Sequence, residues 1–385
     1  MDAEYIDTPQ ALAELCSKLA NSPWFTLDTE FLRENTYRAK LCLLQVATPE
    51  QLACIDPLAL PDLQPLYALL HDRRITKVLH SAHQDLEIFY DLTGQIPGPI
   101  FDTQIAATLL GQGEQIGYGN LVKEELGIEL EKGQARTDWC RRPLDEAQLH
   151  YAADDVRYLC QVYQRQSQRL QELGRETWLS EDFAALEEET RYSNPPEQAW
   201  LRVKGSNRLR GVQLAVLQHL AAWREGQARQ EDKPRRWIIK DEVLLDLARL
   251  MPTRLDALGR IRGLDEAALR RYGQLLLAEI AQARDLPRDA WPSAKTGPRL
   301  PAEQEPLVDV LMALLRQRCQ QQQISPGAVA GRRDLEKLVL GESELPLLQG
   351  WRAAVAGHAL QRLLNGELAL LVQDGHLDVV DHQAG

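Results

Sequence analysis

Three apolar runs follow one another between residues 23 and 56: WFTLDTEF, KLCLLQVAT and QLACIDP. The last two are separated only by a short turn at Pro49 and Glu50. Spacing this short makes neighbouring antiparallel strands, because a parallel crossover needs about a dozen residues or more. The chain therefore opens as a β-meander whose apolar face must be covered by what comes next. LQPLYALLHD reads as helix, ITKVLH as a short buried strand, QDLEIFYDL as helix, IFDT as the start of another strand and TQIAATLL as helix again. From Asp145 to about Leu173 the pattern predicts one long helix, with Pro143 just before its first turn and acids within it. A mixed sheet of about five strands flanked by helices follows, an α/β domain covering residues 1–192.

A chain of 385 residues is too long for one ordinary core. YSNPPEQAW, Tyr192 to Trp200, holds two consecutive prolines that a helix cannot continue through, so 193–207 reads as a linker. Residues 208–288 read as amphipathic helices, 289–303 as a Pro-rich linker, 304–375 as a second helical region and 376–385 as a tail. The two helical regions resemble each other. Each opens with an apolar helix (GVQLAVLQHLAAWREGQA, LVDVLMALLRQRCQQQQI), passes through a loop with proline, and restarts in a short basic-acidic helix (IIKDEVLLDLA, VAGRRDLEKLVL). They read as a divergent internal repeat, two all-α modules.

The net charge of −12 hides an asymmetry: 17 basic against 33 acidic residues in 1–200, 20 against 12 in 201–299, and 7 against 11 in 300–385. An acidic domain joined to a basic one suits an acid-rich catalyst with an appended phosphate-binding module, though the split alone decides little. The N-terminus MDAEYIDTPQALAELC has acids where a signal peptide carries its basic region, and no run approaches the roughly 20 apolar residues of a membrane span. A cytoplasmic protein without membrane contact is expected. Cys16, Cys42, Cys54, Cys140, Cys160 and Cys319 form no C-x-x-C pair, so neither zinc fingers nor a disulfide framework is expected. All six read as small buried hydrophobes.

Asp28 and Glu30 lie two apart in the first strand of the meander and so share a face, where they repel unless something positive sits between them. An isolated D-x-E is ordinarily a strand running out into a polar turn. Two further signals lie downstream. In KVLHSAHQDLEIF a strand ends at His80 and Asp85 falls in the opening turns of a helix; in HYAADDVRYL, Tyr151 and Asp155 are four apart on one helix face. Each has a plain alternative: a helix-dipole acid for Asp85, a surface pair for Tyr151 and Asp155, and Asp154 as a rival to Asp155 for the inward position. Asp102 in FDTQIAA, at a strand-to-helix junction, reads as an N-cap. His83 and His150 stand beside the motif residues rather than on them. The order strand D-x-E, helix-start D and helix Y-x-x-x-D within one mixed α/β domain is what outweighs the separate alternatives.

DTEF, HSAHQDLE and YAADDVRYL resemble the three motifs of the 3′-to-5′ exonuclease superfamily with four acids and a tyrosine, which has the ribonuclease-H-like fold. GQARTDWCRRPLDEAQLHYAADDVRYL, Gly133 to Leu159, is similar in one block to the ribonuclease D family. WREGQARQEDKPRRWIIKDEVLLDLARLMP resembles the HRDC module that this family shares with RecQ-type helicases, and the last segment fits a weaker second copy.

The resemblance implies that Asp28, Glu30, Asp85 and Asp155 bind two divalent cations, Mg²⁺ or Mn²⁺, directly or through water, with Glu30 also near the 3′-terminal nucleotide. It implies that Tyr151 orients the attacking water, since a phenol with a pKa of about 10 is a poor base at neutral pH. Phosphodiester hydrolysis builds negative charge on the attacking and leaving oxygens, and two cations about 4 Å apart stabilise both. Hard cations prefer oxygen ligands, which explains carboxylates rather than histidine or cysteine. The implied activity is a 3′-to-5′ exoribonuclease, a monomer that trims RNA with a free 3′ end, transfer-RNA precursors and other small RNAs, and releases nucleoside 5′-monophosphates. Phe31, Leu32 and Phe89 are candidates for stacking on the last base. In KPRRW, Lys233, Arg235 and Arg236 are candidates for phosphate contacts. Two rivals stand: a DNA exonuclease with the same acids, and a non-catalytic adaptor on a dead nuclease fold. The RNA-type block and the HRDC-like module favour RNA over DNA, and the complete set of acids with Tyr151 speaks against the adaptor.

Overall fold

The structure, a computed structural model, describes residues 2–131, 133, 137–293 and 300–382. Gln134, Ala135 and Arg136 of the Gly133 to Leu159 block, part of the expected linker at 289–303 and the end of the expected tail lie outside the described residues. By contacts the chain forms two units: Met1–Glu30, Cys42–Glu188 and Pro298–Gly385 make one, and Phe31–Leu41 with Glu189–Gly297 make the other.

The N-terminal part runs β1 (Glu4–Ile6), α1 (Pro9–Leu19), β2 (Trp24–Leu32), β3 (Lys40–Ala47), β4 (Leu52–Ile55), α2 (Gln64–Leu70), β5 (Thr76–Leu79), α3 (His83–Thr93), β6 (Ile100–Asp102), α4 (Thr103–Leu109), α5 (Tyr118–Leu126), α6 (Glu146–Glu172) and α7 (Ser180–Leu186). Its sheet has the order β1-β4-β3-β2-β5-β6. The meander strands β2, β3 and β4 lie side by side, with Leu44 opposite Ile55 and Ala47 opposite Leu52 in the antiparallel β3–β4 pair. β5 adds to β2 in parallel, and β6 to β5. The sixth strand, β1, pairs in parallel with β4 and went unseen in the sequence because three residues carry no periodicity. Every residue of β4 and seven of the eight in β3 are buried, as strands covered on both faces must be.

The long helix begins where the sequence places it. Asp145 caps α6 by accepting from Gln148 N at 2.7 Å, while the Gln148 side chain accepts from Asp145 N at 3.0 Å. Such a reciprocal box fixes the phase of the helix, and with it the direction of Tyr151 and Asp155 one and two turns further on.

The cysteine expectation holds for four residues: Cys16, Cys54, Cys160 and Cys319 are free and buried. It fails for Cys42 and Cys140, which form a disulfide across a separation of 98 residues. Spacing could not reveal it, because tertiary packing alone brings β3 beside the segment leading into α6. Arg142 ties the same two places together, donating to the Asp56 carboxylate at 2.6 and 2.7 Å and to the Cys42 carbonyl at 2.5 Å.

The middle helices are α8 (Val212–Glu231), α9 (Arg235–Ile238), α10 (Asp241–Leu250), α11 (Leu255–Leu258) and α12 (Glu266–Arg284). Leu217, Leu220, Leu244, Leu247, Leu258 and Leu276 build their core. The expected linker 193–207 is not a linker. Pro196 opens a 3-10 helix, Pro196–Arg202, that buries Ala199, Trp200 and Val203 in the same core; proline fits a first helical turn, where its missing N–H is not required. Residues 31–41, assigned to the first domain from sequence, also belong here. Tyr37 packs on this core, donates from its hydroxyl to Glu225, and takes the Arg235 guanidinium over its ring at 4.8 Å.

The C-terminal segment contains α13 (Glu305–Gln321), α14 (Pro326–Val329), α15 (Arg332–Val339), α16 (Gly350–Arg352) and, after a π-helical stretch, α17 (His358–Leu364). It ends in a hairpin of β7 (Leu368–Gln373) and β8 (His376–Asp381), where helix and tail were expected. Asp374 and Gly375 turn it with φ of 50° and 78°, the two left-handed positions of a tight hairpin that Asp-Gly favours.

Nor is 304–375 a separate domain. Val308, Leu311, Leu314 and Leu315 of α13 share one core with Ala106 and Leu109 of α4, Leu170 of α6 and Leu179. Arg175 donates to the carbonyls of Leu109 and Gln322, each at 2.7 Å. Arg352 grips Asp182 of α7 at 2.7 Å, and the Trp178 and Trp351 rings stack with centroids 4.8 Å apart. A chain ending at residue 293 should therefore expose the apolar side of α4 and the end of α6, at a cost of about 5 kcal/mol. Calorimetry should show the first unit melting about 10 °C lower than in the full chain, whereas an independent C-terminal domain would leave it unmoved.

Candidate active site

β2 carries Asp28 and Glu30 on one face, and α6 brings Asp155 against them. One carboxylate oxygen from each of the three lies within 4.8 Å of the others. Asp85, in the first turn of α3, is outside that trio but close enough for its charge to act on Asp28 and Glu30. Thr29, between the first two acids, donates its hydroxyl to Asp85 Oδ1 at 2.5 Å and is itself buried. Sequence reasoning passed over Thr29, which carries no charge to signal a role.

Burial and mutual repulsion shift these groups toward their protonated forms. Burial, then the charges of Asp85, Asp155 and Glu30, drive the Asp28 carboxyl well above the ordinary carboxylate range. Glu30 is raised to about 8 by burial and by Asp155 and Asp85. Asp85 is raised to about 7, chiefly by burial and against the Thr29 hydrogen bond, and Asp155 to about 7 by burial and by Asp154. The strongest electrostatic neighbours of these acids are other acids, an arrangement that costs stability unless cations neutralise it. An all-oxygen donor set fits hard divalent cations, so the residues present suit the implied metal.

Tyr151 stands half-buried one turn before Asp155, its ring centroid 6.1 Å from that of Trp139. Burial and the charges of Asp155, Glu30 and Asp28 push its phenol up, so it stays a hydrogen-bond donor at neutral pH. Asp154 is bonded to Arg157 at 2.7 Å, with His150 at 3.5 Å. Among the described residues it is Asp155 whose carboxylate groups with those of Asp28 and Glu30, while Asp154 lines the same cleft. Asp28, Tyr151 and Asp155 open into a cleft of about 1100 Å³ whose walls include His80, Tyr118 and Lys123. His150 lines the wall too, and His83 is exposed.

The remaining candidates divide. Phe89 is wholly buried, so it is a core residue and not a base-stacking one, while Phe31 and Leu32 at the end of β2 keep some exposure. Arg235 is also corrected: its guanidinium is spent on the 1%-exposed carboxylate of Glu225 and on the Tyr37 ring. Lys233 pairs with Glu231 at 3.0 Å. Arg236 is exposed beside Trp237, itself 61% exposed, and both line a concavity of about 480 Å³ with Lys240 and Arg271.

Residues 3–171 match a family described as 3′-5′ exonuclease, and residues 213–280 match the HRDC domain. The chain is 41% identical over 383 residues to a ribonuclease D of Sphingobium indicum, covering 98% of each. It is 40% identical over 369 residues to that of Pseudomonas paraeruginosa, covering 94% of this chain and 98% of the relative. The crystal structure of Escherichia coli RNase D, an exoribonuclease involved in structured RNA processing, superposes with a TM-score of 0.83 at 34% identity, over 95% of this chain and 99% of that one.

Proposed function

Since the chain belongs to the ribonuclease D family and is a 3′-to-5′ exoribonuclease, we propose that it trims the free 3′ ends of transfer-RNA precursors and other small RNAs in the cytoplasm, as a monomer, releasing nucleoside 5′-monophosphates. The observation that carries the reading is the convergence of Asp28, Glu30 and Asp155 oxygens, with Asp85 acting on them, at the mouth of an open cleft.

In this reading Asp28, Glu30, Asp85 and Asp155 hold two cations, Mg²⁺ or Mn²⁺, which when bound activate water and neutralise charge on the attacking and leaving oxygens. Thr29 keeps one Asp85 oxygen fixed. Tyr151, protonated, donates a hydrogen bond that orients the attacking water toward the scissile phosphate. Glu30 and the part-exposed Phe31 contact the terminal nucleotide, Glu30 through the sugar and Phe31 against the base. The basic middle module binds the body of the RNA through Arg236 and, less strongly because of Glu231, Lys233.

The C-terminal segment is a second, divergent copy of the middle module. Long helix, four-residue turn helix and short helix recur in the same order in α8, α9, α10 and in α13, α14, α15. The residue closing each first long-helix region, Asp232 and Gln323, has φ near 50° in both.

The neighbouring arginines give a sharp contrast. Arg236→Ala should weaken RNA binding, reduce the slope of log affinity against log salt by about one, and leave the melting temperature alone. Arg235→Ala should instead cost about 3 kcal/mol of stability by removing the nearest cation from the buried Glu225, which keeps Tyr37 and the more distant Arg229. Filter binding across a salt series, beside calorimetry, checks both.

The test of the function uses a 5′-labelled transfer-RNA transcript with a few extra 3′ nucleotides, with Mg²⁺, beside matching single-stranded DNA and an Asp28→Ala control. Stepwise shortening that halts near the mature end, absent in the control, is the expected result. Cleavage confined to DNA would overturn the substrate, and tight binding without cleavage would overturn the enzyme.

A further inference from the structure

Asp102 closes β6 and stands opposite Leu79 of β5. As its sequence position suggests, it caps α4, with Oδ1 accepting from Gln104 N at 2.8 Å and from Ile105 N at 3.3 Å. The same carboxylate has a second set of partners. Helix α3, which carries Asp85 in its first turn, starts from Ala82, and an alanine has no side chain with which to cap a helix. The chain enters α3 through Ser81 at φ 59°, a left-handed conformation that is unfavourable for a residue other than glycine and persists only when its surroundings enforce it. The enforcing group is Asp102: Ser81 N donates to its Oδ1 at 3.1 Å and Ala82 N to its Oδ2 at 2.9 Å.

We propose that Asp102 is a positioning residue for the exonuclease reaction, capping α3 from the neighbouring strand and so fixing where Asp85 stands relative to Asp28 and Glu30. Two tethers then act on Asp85: Thr29 on the carboxylate itself, and Asp102 on the backbone three residues before it. Asp102 is 2% exposed and Ala82 fully buried, so water offers the Ala82 amide little substitute when the carboxylate is removed. A carboxamide at this position keeps one accepting oxygen but turns an NH₂ toward amides that also donate. Kept at the Oδ1 position, that oxygen still serves α4 and Ser81 N, and Ala82 N at the start of α3 loses its acceptor.

The inference rests on the exonuclease reading, and the experiment separates the two. Asp102→Asn is compared with the unaltered chain and with Thr8→Ala, which removes an ordinary cap from α1. Both variants should lose some thermal stability. Only Asp102→Asn should need about 10- to 100-fold more Mn²⁺ for half-saturation by calorimetric titration, with a kcat lowered by a comparable factor and the KM for RNA changed by no more than about twofold. Amide exchange at residues 81–86 should speed up in that variant without metal. Asp102→Asn with unaltered Mn²⁺ affinity and kcat at a temperature where it is folded would overturn the proposal. If it does not fold, Asp102→Glu, one methylene longer, takes its place in the same measurement, and unaltered Mn²⁺ affinity and kcat there would overturn the proposal equally. An unaltered chain that neither binds Mn²⁺ nor shortens RNA would overturn the underlying function instead.

Discussion

Asp28→Asn should yield a protein that is both inactive and harder to melt. Asp28 is the acid on which the other three converge, and its carboxyl is driven well above its ordinary range, first by burial and then by Asp85, Asp155 and Glu30. The amide keeps the shape and removes a charge that three neighbours repel. Without metal, at about pH 9, where Glu30, Asp85 and Asp155 are ionised, the variant, with no ionisable group at position 28, should melt a few degrees above the unaltered chain. RNA cleavage should fall on the order of 10³-fold or more, because the interaction lost operates on charge that develops in the transition state. Single-turnover cleavage and calorimetry in chelator read the two effects. Activity within tenfold of the original, or a lower melting temperature at that pH, would remove Asp28 from the centre of the site. Opposite signs for stability and activity mark a residue kept for function at the expense of the fold.

Stripping the protein of divalent metal should lower its melting temperature by about 5–10 °C at pH near 8, for a cation present at about a hundred times its dissociation constant. The effect should shrink as the pH falls. Glu30 at about 8, and Asp85 and Asp155 at about 7, hold protons in the folded state that the unfolded chain releases near pH 4. Their contribution to stability is thus fully present below about pH 4 and is lost as the pH rises to about 8. Cations compete with those protons, so their stabilising effect is small near pH 5 and grows to about pH 8. Melting curves with Mg²⁺, with Mn²⁺ and with chelator across this range check the sign. In Asp155→Asn the metal-dependent shift should be much reduced; a shift equal to that of the unaltered chain would remove Asp155 from the ligand set.

Much of the catalytic half was legible because its signals are local. A D-x-E in a strand fixes a shared face, and a Tyr and an Asp four apart on a capped helix fix another, so Asp28, Glu30, Tyr151 and Asp155 needed no tertiary information to be grouped. Thr29 and the second duty of Asp102 were not legible, since each acts on a partner more than twenty residues away in sequence or on another element's backbone. Arg235 and Arg236 are chemically identical neighbours, and only the position of Glu225 one helix away decides which is spent inside and which faces water. The hairpin at β7–β8 was the opposite case: LALLVQDGHLDVV contains Asp-Gly between apolar runs, a strong turn signal masked by reading the segment as the end of a helical repeat. The amphipathic stripe of α13 announced a buried face without saying what buries it, and the answer was a domain about two hundred residues upstream.

That last pairing has a consequence on the ribosome. The apolar side of α4 and the end of α6 leave the exit tunnel long before α13 has been made. At about 5–20 residues per second, more than a hundred residues of further synthesis keep that surface uncovered for roughly ten seconds. The nascent exonuclease domain can gather its sheet and bring its acids together in that time, but it waits with an unfinished core until the C-terminal segment arrives. A chain truncated by a premature stop before α13 would carry Asp28, Glu30, Asp85, Tyr151 and Asp155, yet lack the helix that completes the core of α4 and α6.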